Sequence, residues 1–171
     1  MQHNARITDL TAAFNGSMAR FLTRLEAAST EQLTRMSDDG GWSAAQVAWH
    51  VSASNDAFAG LIDGSIPNAK PAPEGFTETP WSAIAEKVPQ KLEAPARFHP
   101  PAEVGKADVM DKLRASQQRV VDALAGLDDV RARLTVKSTI GTPISLYQVG
   151  IWAAAHVARH NSQVKRLLGR T

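Results

Sequence analysis

The sequence has 171 residues, 43% of them hydrophobic, with 19 basic and 17 acidic side chains and a formal net charge of +2. A chain of this length and apolar content reads as one soluble domain over residues 1–171, able to bury roughly 70% of its unfolded surface. Cysteine is absent, which excludes disulfides, thiolate ligands and a cysteine nucleophile and is compatible with a reducing cytoplasm.

Lysine and arginine are scattered, with no basic stripe interleaved with aromatics, so nucleic acid is not an expected partner. No long apolar run follows residues 1–6, so neither a signal peptide nor a membrane span is expected.

The first periodic segment runs from about Asn4 to Ala27, with Ile7, Leu10, Phe14, Met18, Phe21 and Leu25 on one apolar stripe. His3 lies at its start, where fraying is expected. A short helical turn over Thr30 to Met36, capped by Thr30, follows, and Ser37 to Gly41 reads as a loop. Trp42-Ser43-Ala44-Ala45-Gln46-Val47 then carries a full helix start: Ser43 as cap, Gln46 closing the box, Trp42 and Val47 as staple. This helix is expected over Ala44–Asp63, stopping at Gly64, with Val47, Val51, Ser54, Phe58 and Leu61 on its buried face. His50 sits on the flank of that face. Asp56 points to another side.

Eight of the nine prolines fall between Pro67 and Pro101, so no long helix crosses this region. One short helix is expected at Thr79 to Glu86, with Pro80 at its first position. The rest reads as an ordered crossover, held by Phe76, Trp81, Ile84 and Phe98. His99, before two prolines, is expected to be exposed or to lie over a pocket mouth. The next long helix spans about Asp108 to Ala125, with Met110, Leu113, Val120, Val121 and Leu124 as its stripe and Gly126 as its end. Gln117 falls within that stripe, either as a satisfied core amide or as a polar group lining a pocket. Leu134, Val136 and Ser138 alternate in an extended run too short to imply a sheet. Ile144-Ser145-Leu146-Tyr147-Gln148-Val149 repeats the capping box and staple, opening a last helix over 146–168 that ends at Gly169. Four long amphipathic helices point to an all-α four-helix bundle.

The last helix carries His156 and His160, four residues apart and about 40° apart around the helix axis, one turn above the other. Val149, Trp152, Val164 and Leu167 share their face, with Gln163 among them. Such a pair serves either packing or a shared metal ion, and a metal needs a further ligand from elsewhere. His50 alone reads as a core-edge histidine; beside His156 and His160 it becomes the third candidate.

Trp42-Ser43, then His50, then His156-x-x-x-His160-x-x-Gln163 resembles the DinB superfamily, which includes YfiT-like metal-dependent hydrolases and stress-related, damage-inducible proteins. The likeness covers nearly the whole chain. It implies an up-down-down-up order, which suits a long proline-rich crossover between the second and third long helices. It implies His50, His156 and His160 as a metal triad for one divalent ion, nickel or zinc, and a homodimer. Some members resemble thiol S-transferases that use a low-molecular-weight thiol as cosubstrate.

Three imidazoles leave a coordination position open, the pattern of a catalytic site. It could hold water with its pKa lowered to about 7, or a thiol as thiolate. In an H-E-x-x-H protease a glutamate follows the first histidine; here that position is Val157, and no glutamate occurs after Glu103. No carboxylate stands out as a base and no catalytic side chain is named. Gln163 could orient a ligand imidazole or a water; Arg159 meets an anionic substrate or is a solvated helix-face charge. The reading is therefore a metal-dependent thiol S-transferase acting on a small molecule. A metal-dependent hydrolase and a metal-binding module without catalysis are the alternatives.

Overall fold

A computed structural model describes residues 2–37, 40–86, 93–139 and 141–169. The parts of the expected loop at 38–39 and of the crossover at 87–92 lie outside the described residues. The chain is mostly helical. Four long helices, α1 (Gln2–Ala27), α3 (Ala44–Asp63), α5 (Lys106–Ala125) and α7 (Leu146–Leu168), alternate with short α2 (Thr30–Thr34), α4 (Trp81–Ala85) and α6 (Asp129–Ala132). Two three-residue strands, β1 (Thr135–Lys137) and β2 (Pro143–Ser145), and a single 3-10 turn over Ala96–Phe98 complete the described elements.

The capping signals place α3 and α7. Ser43 accepts from the Gln46 N–H and the Gln46 side chain accepts from the Ser43 N–H, closing a capping box. Ser145 and Gln148 do the same for α7. Gly64 ends α3 at φ 89°, a left-handed conformation that costs glycine little. A Cβ there would also lie 2.5 Å from the Arg131 guanidinium, which donates to the carbonyls of Ile62 at 2.7 Å and Leu61 at 3.2 Å. These are carbonyls that the end of a helix leaves unpaired.

Four expectations are corrected. The cap of α2 is Ser29, not Thr30, because Gln32 lies three residues after Ser29 and closes a box with it. α5 begins at Lys106, two residues early, from an uncapped Gly105. His3 does not fray: its ring contacts the Tyr147 hydroxyl, and its Nε2–H donates to the Leu127 carbonyl at 2.8 Å. The extended run does form a sheet, though a tiny one. β1 and β2 pair antiparallel, Thr135 with Ser145 and Lys137 with Pro143, and Lys70 bridges Thr135 on the other side. An extended segment this short is stabilised by its partners, not by its own pattern.

α3 packs on α5 and α7, and α1 packs on α7 and α5. The core between them holds Phe14, Met18, Phe21, Val47, Val51, Leu113 and Val164. Polar side chains tie the helices at defined heights. Gln117 donates to Asn15 at 2.8 Å, Arg24 to Asn161 at 2.8 Å and Arg114 to Glu26 at 2.8 Å. Asn55, fully buried, donates to Ser116 at 3.3 Å. On the expected buried face of α3, Val47, Val51 and Ser54 are buried, but Phe58 and Leu61 are only half-buried, because they border a cleft.

Candidate metal centre

His50 lies two turns into α3, and His156 and His160 lie one turn apart near the middle of α7. The contact between these helices brings the three rings together. His156 Nε2 is 3.2 Å from His50 Nε2 and 3.1 Å from His160 Nε2. One ligand nitrogen from each ring lies within 4.8 Å of the others.

The opposite ring edges fix two tautomers. His50 Nδ1–H donates to the Phe98 carbonyl at 3.0 Å, and His160 Nδ1–H donates to Gln163 Oε1 at 2.8 Å. Both rings therefore turn an Nε2 lone pair toward His156 when neutral. A single proton on His156 Nε2 can bridge one of the two N···N contacts and leaves the acceptor nitrogen of the other without a hydrogen. A cation between the rings meets all three nitrogens at once. Two nitrogens held about 2.0–2.1 Å from one ion at a tetrahedral angle lie about 3.3–3.4 Å apart, close to the separations seen here. The three histidines could thus hold a metal ion. The fit has one gap: His156 Nδ1 is buried without a hydrogen-bond partner among the described residues, where a ligating histidine usually has one.

Electrostatics agree with neutral rings. Burial lowers the His50 pKa, opposed by the Phe98 carbonyl, with His99 lowering it further. Burial also holds His156 well below its ordinary value, with His160 and His50 adding repulsion. His160 is lowered to about 4, again chiefly by burial. Neutral imidazole is the ligating form, so the free energy of desolvation is already set against protonation.

The triad opens into a cleft of about 2040 Å³. Trp42 lies on the His50 ring at 5.1 Å between centroids, and Phe98 meets it edge-on at 6.2 Å. Phe58 meets His156 edge-on at 5.7 Å. Gln163 and Arg159 line the cleft as well. Gln117 is not among the lining residues: it is half-buried and donates to Asn15 in the contact between α1 and α5. His99 is exposed and touches the edge of Trp42 at 5.9 Å; His3 lies at the α7 N-terminus beside Tyr147. Asp56 faces Arg119 on α5 at 3.5 Å. Glu93 is the sole carboxylate lining the cleft among the described residues.

The Phe98 carbonyl had no counterpart in the sequence reading. It is a backbone group, presented by a single 3-10 turn over Ala96–Phe98, and no side-chain pattern marks it.

The family's sequence pattern matches residues 13–164, with the histidine geometry inside that span. The chain belongs to the DinB superfamily. No curated protein matches it. Among solved structures, this DinB-superfamily chain is similar to the crystal structure of a histidine-to-alanine mutant of the mycothiol-dependent maleylpyruvate isomerase. The TM-score is 0.66 at 12% identity, covering 92% of this chain and 60% of that one. At that identity the likeness establishes a shared fold, and this chain spans less than two thirds of its neighbour's length. No described helix is long and apolar enough to cross a membrane.

Proposed function

We propose that this protein is a metal-dependent enzyme of the thiol S-transferase type, with His50, His156 and His160 as ligands of one divalent ion, nickel or zinc. The observation that carries the reading is the convergence of three Nε2 atoms from rings that burial keeps neutral. A divalent ion held by these three histidines would supply Lewis acidity toward a thiol at neutral pH.

The chain's own groups do the rest. The Phe98 carbonyl and Gln163 orient two of the imidazoles. Trp42 and Phe98 keep water from the His50 side. The cleft has room for a thiol cosubstrate and a small-molecule acceptor together. Thiol conjugation is favoured because, among the described residues, no carboxylate stands beside the triad to act as a base for water. The name of the structural neighbour, a mycothiol-dependent enzyme, supports the same direction. Metal-dependent hydrolysis is the second reading and rests on Glu93, the one carboxylate on the cleft among the described residues.

We read the scaffold as a single up-down-down-up four-helix bundle. The supporting pairs are His3 with Tyr147 and Arg24 with Asn161, which run α1 parallel to α7. Glu26 with Arg114 and His3 with the Leu127 carbonyl run α1 antiparallel to α5. Phe58 with Trp152 and His50 with His160 run α3 antiparallel to α7.

The test is metal content by mass spectrometry in tag-free protein and in each of the five single His→Ala variants. Conjugation assays with mycothiol, bacillithiol and glutathione follow on the loaded protein. Loss of metal in His50→Ala, His156→Ala and His160→Ala, with retention in His3→Ala and His99→Ala, is the expected pattern. Full metal in His50→Ala, or loss in His99→Ala, overturns the triad. Metal binding without thiol conjugation leaves the hydrolase and the non-catalytic module.

A further inference from the structure

One wall of the cleft is made by the β1–β2 hairpin and the crossover segment beside it. The Lys70 N–H donates to the Thr135 carbonyl at 2.9 Å, and the Thr135 N–H donates back to the Lys70 carbonyl at 2.8 Å. Residues directly opposite in an antiparallel pair share a face, and so do alternate residues of one strand. Lys70, Thr135 and Lys137 therefore share a face, with the two lysines as diagonal neighbours about 7–8 Å apart at Cα. All three line the cleft. Neither ammonium pairs with a carboxylate among the described residues.

Ser138, next along the chain, also lines the cleft. It is 7% exposed, and its hydroxyl has no hydrogen-bond partner among the described residues. Two cations without a carboxylate partner among the described residues thus sit together on one wall. The imbalance is local. Among the described residues, five basic side chains line the cleft, Lys70, Arg97, Lys137, Arg159 and Arg166, against Glu93 alone, in a chain with 19 basic and 17 acidic residues. A concave site with one sign of charge concentrates ligands of the other sign.

Aromatic rings run from the triad along the same cleft. His156 meets Phe58, Phe58 meets Trp152 at 6.3 Å between centroids, and Trp152 meets Trp81 at 6.1 Å. A ligand that used both features would carry an apolar body and an anionic group.

We propose that Lys70 and Lys137 form a binding site for the carboxylate of an organic acid whose apolar body lies along Phe58, Trp152 and Trp81. The proposal rests on the reading of this cleft as the place where reactants bind, and it names the chemical class of one of them. The carboxylate belongs either to the thiol or to its acceptor.

The experiment measures binding of 4-phenylbutanoate and of its uncharged analogue 4-phenylbutan-1-ol to the full chain by ligand-observed NMR at low salt. Glutathione, a thiol with two carboxylates, forms the second arm. Lys70→Met/Lys137→Met is compared with Lys70→Arg/Lys137→Arg, which keeps the charge. Both lysines are exposed, so neither variant strips the core, and equal thermal midpoints check this. The expected result is a loss of about tenfold in affinity for a carboxylate ligand in the methionine variant, with recovery in the arginine variant and no change for the alcohol. Loss for glutathione assigns the site to the thiol, and loss for 4-phenylbutanoate assigns it to the acceptor. Loss for neither overturns the proposal. The phenylbutanoate preference persists in His50→Ala, so failure of the metal reading leaves this result standing. A preference that vanishes in His50→Ala places the carboxylate at the triad and overturns the lysine site.

Discussion

Removing the metal and lowering the pH isolates what the buried histidines cost. The unfolded His160 ring titrates near the ordinary value of about 6.5, while in the fold it is lowered to about 4. Between those values the unfolded chain takes up a proton that the folded chain refuses. The contribution to stability is therefore complete above about pH 6.5 and is lost as the pH falls toward 4. At pH 5 the difference amounts to about 2 kcal/mol for His160 alone. This is an upper bound, because part of the residue remains accessible. His50 and His156 shift in the same direction and add to it, although not independently. The assay is urea unfolding of chelator-treated protein at pH 7 and pH 5. Wild type should lose about 1 M in midpoint from this source, beyond what surface carboxylates contribute. His160→Gln has no ring to protonate there and should lose correspondingly less. An equal loss in wild type and His160→Gln would refute the reasoning, because the acid sensitivity would then lie outside the triad.

Other outcomes follow from the same contacts. Gln163→Leu removes the acceptor of His160 Nδ1–H and should weaken metal affinity by about 10–100-fold, whereas Gln163→Glu, which keeps an acceptor, should largely retain it; competition with a chelator measures both. Saturation with nickel or zinc at about one hundred times Kd should raise wild-type stability by about 2.7 kcal/mol, roughly 5–11 °C in Tm by calorimetry. His50→Ala should show little of that shift, and an equal shift there would move the metal elsewhere. Gln148→Glu keeps the acceptor that closes the α7 box but loses the donor to the Thr79 carbonyl. It should cost about 1–3 kcal/mol and raise amide exchange around 78–81 before it touches the middle of α7. Sedimentation at micromolar concentration should find the homodimer that the family resemblance implies, and a monomer throughout that range would exclude it.

Much of the scaffold was legible because several boundaries carry their own chemistry. α3 and α7 begin and end where Ser43, Gly64, Ser145 and Gly169 place them, to the residue. α2 was misplaced by one residue because Ser29 and Thr30 are both good caps, although counting three residues back from Gln32 selects Ser29. The hairpin was half visible. Thr135–Lys137 alternates, but its partner Pro143–Ser145 overlaps the start signal of α7, and a three-residue strand has no period of its own. At the site, the spacing of His156 and His160 placed both rings on one face, and the cap that starts α3 set the height of His50. The cleft was not legible. Its hairpin wall, the Phe98 carbonyl and the unpaired charges of Lys70 and Lys137 come from segments that meet only in the fold.

The capping boxes of α3 and α7 explain how the crossover reaches the site. In an isolated helix the box glutamine has one task, accepting from the cap N–H. Here its other end is also used. Gln46 Nε2 donates to the carbonyls of Pro101 at 3.0 Å and Ala102 at 3.1 Å, and Gln148 Nε2 donates to the Thr79 carbonyl at 2.6 Å. The first turns of the two helices that carry the histidines thereby hold the crossover at two points. Glu78 adds to the second hold by accepting from Arg6 at 2.8 Å and from the Ser145 hydroxyl. Between the two lies the turn that presents the Phe98 carbonyl to His50 and the Phe98 ring to its edge. Burial by that turn helps to desolvate His50, and desolvation is what keeps the ring neutral. Local helix initiation, placement of a proline-rich segment and the protonation state of a candidate ligand are thus linked through two glutamines. The link also accounts for proline in a segment so close to the site. Residues that cannot donate a backbone hydrogen bond leave carbonyls such as that of Pro101 to be satisfied from outside, and each glutamine amide supplies the donor.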